Sequence, residues 1–383
     1  MKRFFVAHCF LLFFLGFAFL SADNIVWADA HTDWKTTNDF LQQIDKQRTA
    51  DASGAVQAAL QFEQQHTSMD PVWLEKVDVL LSRIYSENLK DNAKALSALD
   101  TGMARSAKPE AYLPLAIQKY QLLIHMGQNA QADSFYTQTV PRFLEANRYY
   151  FTWSLAYFLP EMKRQNKPQE ATSVLLKALA AHPSIIDYPF VGEGLVQNLL
   201  RQPGHEEEAL SYAKLHWMTC DFDSKWIVKA TDLLQKAWMA KDLNAAQSTA
   251  FLKAQQDKSI PNPLKDVKLP ALDAAAIQHE LEVTPDTATH IHPRVTLLVL
   301  EGKYGDAMLI ARRLLLDNPT QNASQAAGEI ARIFKAADLN MVRANAFLQY
   351  FKTGQGDNPL EDFFKEHPVG TASSEKDLPT PVH

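Results

Sequence analysis

Alanines recur along this chain at a nearly constant spacing. Six of them are separated by 37, 37, 39, 38 and 37 residues, and after one step of 61 residues the step of 37 returns. A turn residue stands five positions before most of these alanines, and an apolar residue stands four positions after each. A fixed period of about 20 to 50 residues is typical of stacked supersecondary units. The repeat alanines are Ala58, Ala95, Ala132, Ala171, Ala209, Ala246, Ala307 and Ala344.

Apolar residues between positions 34 and 364 follow the period of a helix, and no convincing two-residue alternation of a strand appears. Val77 and Ile84 lie on one helical face, a polar turn follows at 88–92, and a second apolar face begins at Ala95. The same order of face, turn and face recurs with the repeat alanines. The pattern therefore predicts an all-α fold in which antiparallel helical hairpins form an α-solenoid.

The step of 61 residues interrupts the repeats and leaves 24 residues beyond the usual 37. This stretch contains four prolines and one segment long enough for a helix, at 273–283. We expect it to bend the solenoid or to lie across its groove. The predicted organisation is about six hairpins at 31–255, a connector at 256–290, about two hairpins at 291–364, and a disordered tail at 365–383.

The repeats resemble the tetratricopeptide family, whose units are pairs of antiparallel helices with small residues at their contacts. The unit from Phe151 to Pro183 carries the resemblance best, with Ala171 and Ala178 as the small contact residues. The period of 37–39 residues is longer than the 34 of that family, and most of its tryptophan and glycine signatures are absent. The resemblance implies a right-handed superhelix whose concave groove binds a protein or peptide.

In such a superhelix the first helix of each hairpin lines the groove. Counting back from the repeat alanines places polar and aromatic side chains on this inner face in three successive units. Arginine suits a carboxylate because it donates two parallel charge-assisted hydrogen bonds. The alternative is that these are ordinary solvated positions. The predicted groove residues are Trp153, Lys163, Arg164, Asn198, Arg201 and Gln235.

The richest aromatic stretch of the chain runs from residue 149 to residue 158. Its spacings of three, four and seven residues fit the buried face of a helix, but aromatic residues also dominate many binding surfaces. Core packing is the favoured interpretation, and a patch that stacks on sugars is the alternative. The residues of this patch that we single out are Tyr149, Tyr150 and Tyr157.

His290 and His292 form the one pattern in the sequence with a metal-binding character. Alternating histidines on an extended segment can face one ion, and His279, Glu280 or Glu282 would be further ligands. Zinc needs three or four ligands in a fixed geometry, and no accompanying Cys/His spacing supports such a site. Pro293 more simply marks the first turn of a helix, so we predict no metal and no other cofactor.

Residues 1–30 have the features of a secretory signal. Lys2 and Arg3 precede an apolar run at 4–20, and small residues at Ala28 and Ala30 fit a cleavage site. We expect cleavage after Ala30; earlier cleavage, or retention as a membrane anchor, are the alternatives. The mature chain would keep one cysteine and therefore no internal disulfide, which favours a bacterial periplasm or secretion.

The net charge of −6 argues against binding of nucleic acid, which requires a basic face. The sequence contains no phosphate loop, nucleophile elbow or HExxH motif. These observations favour a noncatalytic, exported scaffold that binds a protein or peptide in envelope assembly, secretion or a surface complex. The alternatives are a cell-wall or carbohydrate-binding module and, less favoured, a metal-dependent envelope hydrolase.

Overall fold

Helices make up nearly all of the chain that the structure, a computed structural model, describes. The described residues are 27–105, 108–146, 148–242, 245–317 and 319–369. No β-strand occurs within these ranges. The predicted all-α fold class is therefore confirmed.

The chain divides into two compact units, the first of which ends at Gln128. In its described part this unit contains five α-helices, and a π-helical segment at Ile84–Asn88 continues the third. The five helices are α1 (Trp27–Ala50), α2 (Ala52–Gln65), α3 (Pro71–Arg83), α4 (Asn92–Arg105) and α5 (Pro109–His125).

The second unit begins at Asn129. Its described residues form thirteen α-helices and three short 3-10 segments, at Pro183–Asp187, Pro263–Lys265 and Ala288–His290. The helices are α6 (Asn129–Ala146), α7 (Arg148–Arg164), α8 (Pro168–Ala181), α9 (Pro189–Leu199), α10 (Glu206–Thr219), α11 (Ser224–Asp242), α12 (Ala245–Ala254), α13 (Ala274–Val283), α14 (Ile291–Leu300), α15 (Tyr304–Asp317), α16 (Pro319–Asp338), α17 (Val342–Thr353) and α18 (Leu360–Glu366).

The core of the first unit is formed by the apolar faces of α1, α2 and α3. Ile44, Ala55, Ala59 and Val77 are fully buried in it. Asp51 begins α2, and its side chain accepts a hydrogen bond from the backbone N–H of Gly54. Such a cap satisfies one of the N–H groups that the first turn of a helix leaves without a partner.

The turns of the hairpins explain the alanine period. The residue five positions before a repeat alanine has a positive φ in six of the turns between helices: 75° at Gly127, 85° at Gly204 and 72° at Gly302, and likewise at Lys90, Asn166 and Leu339. After Gly127, the N–H of Gln128 donates to the carbonyl of Leu123, as in a Schellman motif. This left-handed residue ends the first helix, and the second helix then buries its alanine.

The repeat alanines that follow these six turns are all fully buried: Ala95, Ala132, Ala171, Ala209, Ala307 and Ala344. The other two behave differently. Ala58 is only half-buried while its neighbour Ala59 is fully buried, and Ala246 is exposed while Phe251 fills the core. Neither of these hairpins has a left-handed residue five positions earlier. The tight turn and the buried alanine therefore occur together.

In the second unit α9 packs against both α7 and α11, so the first helices of three successive hairpins are neighbours. The predicted helix at 273–283 is present as α13, and Asp273 caps it by accepting from the N–H of Ala275. The segment predicted as a connector, 256–290, packs within this unit against the 3-10 segment Pro183–Asp187 and α14. The division between the two compact units lies at 128/129.

The predictions for the two chain ends fall mostly on residues outside the described ranges. These include residues 1–26 of the expected signal and 370–383 of the expected tail. Residues 365–369 belong to the end of α18 and the segment after it, where the His367 ring contacts Phe363 and Tyr304. Among the helices that the structure describes, none is both long and apolar enough to cross a membrane.

Candidate functional site

A groove of about 690 Å³ lies along the neighbouring helices α7, α9 and α11. Each of these helices is the first of its hairpin. Its floor is apolar and includes Leu155 and Leu159 from α7, Phe190 from α9 and Leu233 from α11. Phe190 remains 50% exposed. This volume lies within the range of about 300–1,000 Å³ that is common for ligand sites.

Close approach of α7 and α9 shapes the groove. A Cβ atom on Gly194 would lie 2.7 Å from Cδ1 of Leu159, so a larger residue here would require this leucine side chain to move. Pro160 lies inside α7 and has no N–H to donate. The carbonyl of Ala156, four residues earlier, therefore loses its usual helical donor. Ala156 and Pro160 both line the groove.

The rim of the groove is mainly basic. Lys163, Arg201, Lys229 and Lys236 line it together with two acidic residues, which leaves two positive charges in excess. Lys236 forms an exposed ion pair with Asp232 at 2.6 Å, and such pairs contribute little to stability. The basic rim instead favours ligands that carry carboxylates.

Arg201 is held in place by the hairpin before its own. Its Nη2 donates to Oδ1 of Asn166 at 3.1 Å and to the carbonyl of Lys163 at 3.4 Å. Its Nη1 donates to Oδ1 of Asn198 at 3.3 Å, and the Asn198 amide donates to the carbonyl of Gly194 at 2.7 Å. These contacts fix the guanidinium at the groove, ready to receive an anionic group without further ordering.

Besides Asp232, the groove contains one other acidic residue, Glu193, and one of its carboxylate oxygens makes no hydrogen bond within the described chain. Oε1 is buried and has no hydrogen-bond partner among the described residues. Burial raises the pKa of this carboxyl above its ordinary value, although the charge of Lys229 opposes the shift. A buried polar atom without a partner costs about 1–3 kcal/mol.

Three of the six predicted groove residues line the groove, namely Lys163, Asn198 and Arg201. The others do not. Arg164 pairs with Glu161 on its own helix. Trp153 makes an edge contact with Tyr157 at 5.8 Å between ring centroids.

The third predicted residue that does not line the groove is Gln235, which donates to Oγ of Ser248 at 2.8 Å across its hairpin. The prediction missed Phe190, Glu193, Lys229 and Lys236, whose residue types are common on any solvated helix.

The aromatic stretch of α7 contributes mainly to the core. Phe151 and Phe158 are buried, and Phe158 stacks on Tyr136 at 4.1 Å. Tyr157 is half-buried and contacts Trp153. Tyr149 and Tyr150 lie in α7, but their side chains are outside what the structure describes.

The two histidines singled out in the sequence have different environments. Nδ1 of His290 lies near the hydroxyls of Thr287 and Thr289, at 2.8 Å and 3.0 Å. His292, at the start of α14, instead enters a cluster of charged side chains. Glu280 is occupied elsewhere, since it accepts from the backbone N–H and the hydroxyl of Ser184. His279 and Glu282 are exposed.

The charged cluster joins segments that are far apart in sequence. Nε2 of His292 lies 2.9 Å from Oδ2 of Asp187, and Nδ1 lies 2.6 Å from Oε1 of Glu329 and 3.5 Å from Oδ1 of Asp221. Arg332 donates from Nε to Oε2 of Glu329 at 3.0 Å. Asp187, Glu329 and Arg332 are almost entirely buried, whereas the side chain of His292 is 28% exposed.

The charges of this cluster stabilise one another. Burial and Arg332 act to lower the pKa of His292, but Glu329 and Asp187 outweigh them and raise it to about 10. Burial acts to raise the pKa of Glu329, but Arg332 and His292 lower it to about 2. Thr296 donates to Oδ2 of Asp187 at 2.7 Å. Removing one partner from such a buried set typically costs about 3–5 kcal/mol.

Cys220 and Lys335 lie beside this cluster. The ammonium of Lys335 donates to the Cys220 carbonyl at 2.8 Å and lies 3.3 Å from its sulfur. Burial raises the pKa of the Cys220 thiol, although Lys335 opposes the shift. The predicted interpretation of Cys220 as a small buried residue agrees with its exposure of 1%.

Comparison of the chain with family models, with curated proteins and with solved structures finds no match. The groove and the charged cluster therefore have to be interpreted from their own geometry.

Proposed function

We propose that this chain is an exported, noncatalytic scaffold of the tetratricopeptide-like type, in which hairpins stack as a right-handed α-solenoid. Its ligand is an extended, acidic segment of another protein, bound in the groove of α7, α9 and α11. Envelope assembly, secretion or a surface complex is the proposed setting. The signal-like residues 1–30 and the scarcity of cysteine support export.

The observation that carries the proposal is the combination of groups in the groove. An apolar floor lies beside a mainly basic rim, and the carbonyl of Ala156 in the same wall lacks its usual helical donor. An extended peptide offers N–H donors from its backbone, apolar side chains at alternate positions and acidic side chains between them. Such a segment satisfies all three kinds of group at once, which a sugar or a simple anion does not.

The proposal is tested by selecting peptides from a random library on the folded chain and measuring their affinity by fluorescence anisotropy. We expect enrichment of acidic peptides with apolar residues, and binding that weakens as salt is raised. Lys163→Glu places a negative charge on the rim and should raise Kd at least about tenfold, or about 1.4 kcal/mol.

Arg164→Glu is the matched control. It makes the same charge change at the next position of the same helix, on a side chain that is 58% exposed and outside the groove. It should leave Kd within about twofold. Failure to enrich any peptide, or equal weakening by both variants, would contradict the proposal. Circular dichroism and thermal unfolding establish that both variants are folded.

A further inference from the structure

We propose that Asp221, His292 and Glu329 bind one divalent first-row transition-metal ion. The three residues come from the loop after α10, the first turn of α14 and the middle of α16. Each offers one ligand atom, and these atoms all lie within 4.8 Å of one another. The site is separate from the groove and does not depend on the proposed peptide-binding function.

The distances between the ligand atoms suit a small ion. Nδ1 of His292 lies 2.6 Å from Oε1 of Glu329 and 3.5 Å from Oδ1 of Asp221. Ligand atoms that surround a zinc ion at about 2.0–2.2 Å lie about 3–3.5 Å from one another. All three ligand atoms lie within 4.8 Å of one another, so rotations of exposed Asp221 and of His292 are needed to bring them to these separations. The ion takes the position of the proton on Nδ1, which is released.

The groups around the ligands already hold them in orientation. Asp187 accepts from Nε2 of His292, so that Nδ1 is the ring nitrogen directed at the ion. Arg332 binds Oε2 of Glu329, which leaves Oε1 as the ligand oxygen. Metal-binding histidines usually donate their other N–H to a carboxylate in this way, and ligating carboxylates are themselves hydrogen-bonded. Asp187 is fixed in turn by the hydroxyl of Thr296.

The donor set selects the kind of ion. One imidazole with two carboxylates suits Zn²⁺, Co²⁺, Mn²⁺ or Fe²⁺, whereas Mg²⁺ and Ca²⁺ prefer oxygen ligands alone. The side chain of Asp221 is 56% exposed, so water reaches this side of the site and completes the coordination. Cys220 is next in sequence, but its sulfur faces Lys335.

The test uses untagged full-length protein that has been dialysed against a chelator. Isothermal titration with Zn²⁺ should show one ion per chain, and Co²⁺ should give the visible absorption bands of nitrogen and oxygen ligation. Asp221→Asn keeps the size of an exposed side chain and should weaken binding at least about tenfold. His290→Ala removes a nearby histidine outside the cluster and should leave binding unchanged.

The absence of one-to-one binding of both ions at micromolar concentration would overturn the proposal. Equal affinity of wild type and Asp221→Asn would overturn it too, as would equal weakening by His290→Ala. Circular dichroism of the variants separates loss of a ligand from loss of the fold. Affinity for the selected peptides should be the same in Asp221→Asn and wild type, which keeps this test distinct from that of the groove.

Discussion

His216 provides a quantitative test of how the second unit responds to acid. Its ring is 2% exposed, and Nδ1 lies 3.0 Å from the carbonyl of Ile186, to which it donates. Burial lowers the pKa of His216 from an ordinary 6.5 to about 4; the hydrogen bond to Ile186 and the charge of Asp187 oppose the shift, and Lys335 adds to it.

The sign of the effect follows from proton binding. Between about pH 6.5 and pH 4 the unfolded chain binds a proton at this histidine and the folded chain does not, so acid stabilises the unfolded state. A pKa difference of about 2.5 corresponds to about 3 kcal/mol, of which about 2.5 kcal/mol is lost between pH 7.5 and pH 4.5. This loss is a large fraction of the stability of an ordinary domain.

The comparison is between wild type and His216→Asn, because asparagine keeps a donor near the position of Nδ1 but does not titrate. The variant is less stable at pH 7.5, since it leaves a cavity. Urea unfolding followed by tryptophan fluorescence at both pH values gives the two free energies. Wild type should lose about 2.5 kcal/mol more than the variant. A parallel loss in the two proteins would refute the assignment of this pH dependence to His216.

Two further predictions concern stability. Burial and Glu63 raise the pKa of Asp78 to about 8 although Arg105 opposes them, so stability falls as pH rises from about 4 to 8. Over this pH range the free energy of unfolding, measured with urea, should fall by at least about 1 kcal/mol less in Asp78→Asn than in wild type. Ala171→Leu should cost about 1–3 kcal/mol by overpacking, measured by thermal unfolding, whereas the same change at exposed Ala180 should cost little.

The helical hairpins could be predicted because their determinants are local. Where the left-handed residue is a glycine, it and the small residue five positions later are visible in the sequence, as with Gly204 and Ala209. In the two hairpins without this turn the repeat alanine is not the buried residue, which is Ala59 in one and Phe251 in the other. Alanine is common in this chain, and without the turn nothing in the sequence distinguishes Ala58 from Ala59.

The groove was predicted only in part because helix register is sensitive to one residue. Lys163 and Arg164 are adjacent in sequence, but a step of one residue turns about 100° around the helix axis. Lys163 therefore lines the groove while Arg164 pairs with Glu161 outside it. Glu193 could not be singled out at all, because its distinguishing property is the burial of one oxygen, which depends on the neighbouring helices.

The charged cluster could not be predicted because its members are too far apart in the chain. The sequence suggested His292, but it paired this residue with His290 and with Glu280. In the structure the carboxylates at His292 come from Asp187, more than one hundred residues earlier, and from Glu329 in α16. Contacts between distant segments require no particular number of residues between them. They therefore leave no spacing pattern in the sequence.

The interruption of the repeats explains how these distant segments meet. Helix α13 lies in the extra stretch, and its Glu280 binds Ser184 in the turn that also carries Asp187. Arg294 of α14 donates back to the carbonyl of Leu281, which fixes the start of α14 beside this turn. None of the described residues of 256–290 lines the groove.

The two sites therefore arise in opposite ways. First helices of consecutive hairpins form the groove, so the period that identifies the hairpins also indicates which helices line it. The charged cluster forms where the start of α14, which follows the extra stretch, meets the earlier turn that carries Asp187. The repeat period gives no indication of this contact. If the cluster binds a metal ion, the ion joins the loop after α10 to α14 and α16 across the interruption. It would then stabilise the part of the second unit in which the repeat period is interrupted.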